Sequence, residues 1–218
     1  MLYILKDISK SFQTNKGKKT LNSISISIEE KKINLVYGKS GSGKTTLLNI
    51  LAGLDINFTG EVLFKERSLK KESEEKRAEL RLKKIGLIYQ FFNLLPELTI
   101  KENIMLPSII LGQHNENKYI DLINYFGINN IQDQKPVQCS GGELQRASFA
   151  RALINSPDLI IADEPTGNLD SKNTQNIITL IEKLNKEFKT TFIIATHDET
   201  FKKITNSIYQ LKDGKLIN

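Results

Sequence analysis

A glycine-rich stretch between a predicted strand and a predicted helix has the composition of a phosphate-binding loop. Residues 38–45 read G-K-S-G-S-G-K-T, which fits the pattern G-x-x-x-x-G-K-[ST]. Glycines let backbone N–H groups close around phosphate oxygens at the positive end of the helix dipole. Lys44 is predicted to reach the β- and γ-phosphates of a nucleoside triphosphate, and Thr45 to place its hydroxyl on Mg²⁺. The predicted nucleotide-binding residues of this segment are Gly38, Lys39, Ser40, Gly41, Ser42, Gly43, Lys44, Thr45 and Thr46.

Two adjacent carboxylates follow another apolar strand. The run L-I-I-A-D-E-P occupies residues 159–165, and a strand ending in this way presents both acids at the open edge of a parallel sheet, where ligands bind. We predict that Asp163 holds Mg²⁺ through its water shell and that Glu164 orients or deprotonates the attacking water. Taken alone, Asp-Glu after a strand is as often a helix N-cap. The phosphate loop favours the catalytic interpretation.

Strands that alternate with helices are predicted to position these groups. Residues 23–28 alternate between serine and isoleucine, which predicts a strand of an antiparallel sheet near the start of the chain. Continuous apolar runs are typical of parallel strands covered on both faces. These runs are 33–37, 85–89, 159–162 and 191–195. Helical patterns lie at 45–52, 72–84, 142–154 and 173–188, and the alternation predicts an α/β sandwich.

The domain organisation predicted from the sequence is one domain, residues 1–218, with two lobes. A length of 218 residues is enough for a sizeable core. The stretch 91–153 is rich in helical patterns and lies between two predicted sheet strands. We therefore expect a helical lobe at about 91–154 inserted into a first lobe of about 1–90 and 155–218. Asp213 and Gly214 predict a small hairpin near the C-terminus.

Composition narrows the classes of function. A single cysteine excludes an internal disulfide and suggests a reducing, cytoplasmic setting. The net charge is +6, but the lysines are mixed with acids, as in K-K-E-S-E-E-K-R, which favours a solvated helix surface over a nucleic-acid site. No apolar run approaches the roughly 18 residues of a membrane span, and no secretory signal is predicted.

Five further elements appear in the order found in the nucleotide-binding subunits of ABC transporters. They are I-Y-Q ending at Gln90, S-G-G-E-L-Q-R from Ser140, D-E-P-T-G at 163–167, N-L-D at 168–170 and A-T-H-D at 195–198. With the phosphate loop, the chain resembles this family over nearly its whole length. The resemblance implies an ATPase that uses ATP and Mg²⁺. It also implies a P-loop NTPase (RecA-like) α/β core with an N-terminal antiparallel β subdomain and an inserted helical subdomain.

The resemblance assigns roles to individual residues. Gln90 is similar to the glutamine that ligates Mg²⁺ and senses the membrane partner, and His197 to the histidine that bonds the γ-phosphate and positions Glu164. Asp170 resembles the aspartate at the subunit boundary. Phe12 falls where an aromatic stacks on adenine, although a core phenylalanine is an equal alternative.

The second glycine pair implies a dimer. In the family two copies pack head to tail, and each ATP is held between the phosphate loop of one copy and the signature of the other. Ser140, Gly141 and Gly142 are then expected to face the γ-phosphate of ATP bound by the second copy. Cys139 stands where leucine is usual and is expected to act as a small apolar residue. Lys39 replaces a common proline, and 30–32 lack the usual glycine; neither change removes catalytic chemistry.

Residues 90–107 resemble one branch of the family, which contains lipoprotein-releasing, macrolide-exporting and antimicrobial-peptide-handling ATPases. This resemblance implies a separate ATPase subunit, held on the inner face of the cell membrane by a permease with a large extracytoplasmic domain. The expected substrate is a peptide, a lipoprotein or a drug-like molecule. The alternative is an ATP-driven transmembrane regulator of a cell-wall hydrolase. No nucleic-acid partner is expected, since the chain has no room for the insertions typical of ABC proteins that act on DNA or ribosomes.

Overall fold

The computed structural model describes residues 1–12, 19–167 and 169–217, with the backbone alone for Ser171 and Lys172. Within these ranges the chain forms two sheets and six α-helices. The predicted α/β class with an antiparallel N-terminal sheet and a parallel core is confirmed. No helix among the described residues has the length and apolarity needed to cross a membrane.

A six-stranded, mostly parallel sheet forms the centre of the described structure, in the order β10-β9-β3-β8-β7-β6. Its strands are β3 (Ile33–Tyr37), β6 (Ile85–Ile88), β7 (Leu159–Asp163), β8 (Thr191–Thr196), β9 (Ser207–Lys212) and β10 (Lys215–Ile217). The continuous apolar runs follow from burial on both faces: Phe192 and Ile194 of β8 enter one core cluster, while Ile193 enters the other.

The antiparallel sheet has the order β2-β1-β4-β5. Its strands are β1 (Tyr3–Ser11), β2 (Lys19–Ile28), β4 (Thr59–Phe64) and β5 (Arg67–Ser68). The serine–isoleucine alternation predicted one buried face, and Ile24, Ile26 and Ile28 are buried while the intervening serines are exposed. Each such isoleucine contributes roughly 1.5–3 kcal/mol of burial free energy.

The helices cover both faces of the parallel sheet. They are α1 (Lys44–Leu51), α2 (Glu74–Lys84), α3 (Ile100–Ile110), α4 (Glu116–Phe126), α5 (Gly141–Leu153) and α6 (Ser171–Phe188). Helix α2 begins two residues after the predicted start because the Ser73 side chain accepts a hydrogen bond from the backbone N–H of Lys76. Between β6 and β7 the chain forms α3, α4 and α5, and Phe126 of α4 packs near Phe149 of α5.

The C-terminal hairpin supports the phosphate loop. Asp213 and Gly214 have φ of 48° and 74°, as a type I′ turn between β9 and β10 requires. The Gly214 backbone N–H donates to the carbonyl of Ser42 at 3.1 Å, and its own carbonyl accepts from Asn22 at 2.7 Å. The predicted hairpin therefore exists and joins the loop to the antiparallel sheet.

Candidate functional site

The glycine-rich segment turns tightly from the end of β3 into α1. Gly43, the N-cap of α1, has φ of 106°, a left-handed conformation that favours glycine. A Cβ at Gly43 would lie 2.8 Å from the carbonyl oxygen of Thr20, so the turn has no room for a side chain. Lys44 is 6% exposed, and its Nζ donates to the carbonyls of Gly38 at 2.8 Å and Lys39 at 3.2 Å. This curled backbone suits a phosphate-binding loop.

A pocket of about 260 Å³ opens where β7 meets this loop. It is lined by Thr20, Ser40, Gly41, Gly43, Lys44, Thr45, Thr46, Gln90, Asp163 and Glu164. Within the described chain, Thr20 is the one lining residue that the sequence did not predict. Gly38, Lys39 and Ser42 belong to the same loop without lining the pocket, and Lys39 is exposed. The parallel sheet thus joins residues separated by more than 100 positions.

Thr45 and Asp163 form a paired oxygen site. The Thr45 hydroxyl donates to Asp163 Oδ2 at 2.7 Å, while Asp163 Oδ1 is buried without a hydrogen-bond partner among the described residues. Burial raises the pKa of the Asp163 carboxyl, and the bond from Thr45 opposes that rise. A hydroxyl beside an uncompensated carboxylate oxygen fits Mg²⁺, which takes oxygen ligands. The described ranges contain no set of three or more His, Cys, Asp or Glu that could hold a metal.

Glu164 lies at the centre of a hydrogen-bond cluster. Its Oε1 is 3.1 Å from Lys44 Nζ, its Oε2 accepts from the Thr196 hydroxyl at 2.9 Å, and both oxygens are 3.1 Å from His197 Nδ1. Burial alone would raise the pKa of Glu164, but the bonds from His197, Lys44 and Thr196 together lower it below its ordinary value. The carboxyl is therefore ionised at neutral pH, as a general base requires.

The Glu164 backbone is held in an unusual conformation. Its φ is 46°, in the left-handed region that costs a non-glycine residue about 1 kcal/mol or more. The Glu164 N–H donates to the carbonyl of Ala195 at 2.8 Å, and the Glu164 carbonyl accepts from the N–H of Gly167 at 3.0 Å. This fixed backbone directs the side chains of Asp163 and Glu164 to different partners.

Gln90 follows β6 and lines the same pocket as the phosphate-loop residues. It contacts Gly167 so closely that a Cβ there would lie 2.9 Å from Gln90 Nε2. The next turn is held from α5: the guanidinium of Arg151 donates to the carbonyls of Phe92 at 2.9 Å and Asn93 at 2.5 Å. Gln90 thus packs against the turn that follows β7, while Arg151 of α5 holds the turn that follows Gln90.

The signature residues lie outside the lining of this pocket. Ser140 caps α5 in a capping box with Glu143, and a Cβ at Gly141 would meet no atom closer than 4.0 Å. A Cβ on Gly142 would lie 3.8 Å from Asn173 Oδ1, and Asp170 caps α6 through the N–H of Asn173. The starts of α5 and α6 are therefore adjacent. Asn168, of the predicted N-L-D element, lies outside the described residues.

One predicted residue and one residue that was not predicted remain to be placed. Phe12 also lies outside the lining; it is 41% exposed, with the Lys10 ammonium 4.9 Å from its ring centroid, so it is not a core phenylalanine. Thr196, which the sequence reasoning missed, bonds Glu164 directly. Its signal was a hydroxyl at the end of a continuous apolar strand, immediately before His197.

Comparison with known proteins gives the family. The sequence profile of the ABC transporter family matches residues 21–167. A lipoprotein-releasing system ATP-binding protein LolD from Blochmanniella floridana is 44% identical over 217 residues, covering 96% of this chain and 91% of that protein. LolD from Francisella tularensis subsp. tularensis strain FSC 198 is 42% identical over 216 residues, covering 97% and 94%.

Solved structures agree with the sequence comparison. The dimeric post-hydrolysis state of the ATP-binding cassette MJ0796, bound to ADP and Pi, has a TM-score of 0.89 and 34% identity, covering 99% of this chain and 97% of that one. A second dimeric structure of MJ0796, a bacterial ABC transporter cassette, has the same TM-score at 35% identity. The chain therefore belongs to the ABC transporter family, as an ATP-hydrolysing ATP-binding cassette.

Proposed function

We propose that the chain is the ATPase subunit of a lipoprotein-releasing type of ABC transporter, working as a head-to-tail homodimer on a separate membrane permease. The relatives named for lipoprotein release, each above 40% identity over most of both chains, support this assignment. The observation that carries the catalytic part is the cluster of Lys44, Thr45, Asp163 and Glu164 around one pocket.

ATP enters the pocket with its phosphates against the loop. Lys44 exchanges its bond to Glu164 for the β- and γ-phosphates, since a phosphate carries more charge than one carboxylate. Thr45, Asp163 and Gln90 would hold Mg²⁺, which when bound neutralises charge that develops on the transferred phosphoryl group. These residues supply position and charge, the main needs of phosphoryl transfer.

Hydrolysis depends on a water molecule directed by Glu164. Its ionised carboxylate accepts the water proton as the oxygen attacks the γ-phosphorus, and ADP leaves as the bond to the β-phosphate breaks. His197 Nδ1 lies within 3.1 Å of that carboxylate, and its 65% exposed ring is free to turn toward the γ-phosphate. The products are ADP and phosphate.

The second copy completes each site. Among the described residues, Gly141 and Gly142 meet no atom that requires glycine, so we infer that the small residues accommodate the γ-phosphate of ATP held by the other copy. Asp170, beside them at the start of α6, belongs to the same subunit boundary. Phe12 is available to stack on adenine, because its ring is exposed.

The permease is proposed to dock in a groove of about 470 Å³ between α2, α3 and α5. Leu106, Pro107 and Ile110 form an apolar wall of this groove, and Ile110 is 63% exposed. The groove also touches Tyr89, next to Gln90, so docking and the nucleotide pocket share one loop. We propose that the groove lies at the boundary between a lobe of about 1–90 and 155–218 and a helical lobe of about 91–154. Docking there would hold the ATPase on the inner face of the membrane.

The head-to-tail arrangement is tested by mixing two inactive variants. Lys44→Ala removes the phosphate-binding cation, and Ser140→Arg blocks the signature, so each variant alone should be inactive. In a mixed dimer one of the two sites retains both Lys44 and Ser140. About half of the dimers in an equal mixture are mixed, so phosphate release of the mixture should recover to about a quarter of wild type. Mixed dimers with no recovered activity would contradict a site shared between copies. The control is a mixture of Lys44→Ala with Glu164→Gln. Both substitutions lie in the half of the site that carries the phosphate loop, so no site in a mixed dimer is complete.

A further inference from the structure

The hydroxyl of Thr196 is fully buried against Glu164. Thr196 is 0% exposed at the end of β8. Its Oγ1 donates to Glu164 Oε2 at 2.9 Å and accepts the backbone N–H of Asp198 at 3.1 Å. A hydroxyl has one proton, and the Asp198 N–H occupies a lone pair, so the proton is directed at the carboxylate. The bond therefore has a fixed direction.

The partners of Glu164 differ in what else they must do. Lys44 and His197 both reach the Glu164 carboxylate at 3.1 Å. In the proposed mechanism both are drawn to phosphate oxygens when ATP binds. Thr196 is buried and does not line the pocket, so it has no access to nucleotide. Its bond is the one that ATP does not compete for.

We propose that Thr196 is a positioning residue that keeps the Glu164 carboxylate aimed at the attacking water after ATP has drawn Lys44 and His197 away. This inference rests on the proposed role of Glu164 as general base. The backbone of Glu164 is already fixed through Ala195, so the remaining freedom lies in the side-chain torsions. One directed hydrogen bond at Oε2 removes most of that freedom at the moment of hydrolysis.

The test replaces the hydroxyl with a methyl group of similar volume. Thr196→Val should lower kcat for ATP hydrolysis about tenfold to a hundredfold, the range expected for losing one hydrogen bond to a charged group, and leave KM for ATP unchanged. Thr196→Ser keeps the hydroxyl and should recover most of kcat. Thr191→Val is the matched control, because Thr191 is a 1% exposed threonine on the same strand that accepts the Lys31 N–H away from the pocket.

A second readout separates positioning from support of the fold. In a Glu164→Gln background, Thr196→Val should leave both ATP affinity and the ATP-dependent dimer seen by size exclusion unchanged. Weaker ATP binding or a smaller dimer fraction would instead assign Thr196 a structural role and overturn the inference. A Thr196→Ser variant as slow as Thr196→Val would also overturn it.

Failure of this inference is distinguishable from failure of the proposed function. Normal turnover in Thr196→Val beside an inactive Glu164→Gln would reject the positioning role and retain Glu164 as the base. Normal turnover in Glu164→Gln itself would reject both. Slow Thr196→Val, active Thr196→Ser and inactive Glu164→Gln together would support both.

Discussion

Lys44 Nζ lies 3.1 Å from Glu164 Oε1, so the ammonium of Lys44 and the carboxylate of the proposed base neutralise each other. With Lys44 6% and Glu164 15% exposed, the pair is largely shielded from water. In the proposed mechanism, ATP breaks this contact when Lys44 moves to the phosphates. The proposed mechanism therefore requires ATP to replace one partly buried ion pair.

Removing the charge of Glu164 should separate binding from hydrolysis. Glu164→Gln weakens the hold on Lys44, so we expect ATP affinity to rise about tenfold while turnover falls about 100- to 10,000-fold through loss of the base. Nucleotide titration and phosphate release measure the two effects. Glu199→Gln is the control, since Glu199 follows the neighbouring strand β8 and bonds Tyr37 and Lys202 outside the pocket. Equal turnover in the two variants would refute the assignment of Glu164.

Ionised Asp163 should lower the free energy of unfolding of the protein when no nucleotide is added. Its folded pKa is raised, so its ionisation opposes folding at any pH above that value, and the cost disappears as pH falls below the ordinary pKa. We expect Asp163→Asn to melt about 2–4 °C higher at pH 7, equivalent to about 1 kcal/mol, with no gain near pH 3 and with ATPase activity lost. Calorimetry across pH measures the difference. A gain independent of pH would show that charge is not its cause.

Two glycines should respond oppositely to alanine. A Cβ at Gly38 would lie 2.3 Å from the Leu211 carbonyl oxygen, whereas at Gly141 the nearest atom is 4.0 Å away. Gly38→Ala is therefore expected to destabilise the fold by about 1–3 kcal/mol. Gly141→Ala should keep or raise the melting temperature, because alanine is the better helix former, yet lower ATPase activity about a hundredfold by displacing the second copy's phosphate. Full activity in Gly141→Ala would argue against a close contact between Gly141 and the phosphate bound by the second copy.

A charge in the proposed docking groove should disconnect the ATPase from its partner. Ile110→Glu places a carboxylate on a 63% exposed apolar position, so we expect loss of co-purification with the membrane permease and unchanged basal ATPase activity. Ile208→Glu, at a 47% exposed isoleucine of β9, is the control and should still co-purify. Co-purification of both variants at wild-type yield would show that the permease docks on another surface.

Much of the fold could be predicted because local pattern and burial agree. The strands β3, β7 and β8 are continuous apolar runs, and they are buried on both faces as that pattern indicates. β1 was not located individually, since its alternation is broken: the pairing register shifts between Leu5 and Ile8, where Asp7 has φ of 53°. Such an irregularity removes the period of two on which strand prediction depends.

The sequence predicted which residues belong to the site better than it predicted the contacts between them. Motif spacing named Lys44 and Glu164, but their meeting depends on the order β3-β8-β7, which places the start of α1 beside the end of β7. Thr20 belongs to no motif, and Thr196 lies within A-T-H-D without a predicted role of its own; each matters through a neighbour supplied by another strand. Long-range sheet order is the information that a local sequence pattern lacks.

Through Arg151, helix α5 connects the turn after Gln90 to the signature residues. Near one end of this helix its guanidinium grips the turn after Gln90, and at the other end Ser140 begins the signature. A helix of 13 residues is about 20 Å long and bends little. Force applied to the turn on the groove side would therefore tilt α5 as a lever. In the proposed transporter, pulling by the permease and closure between the two copies would then be one mechanical event rather than two signals.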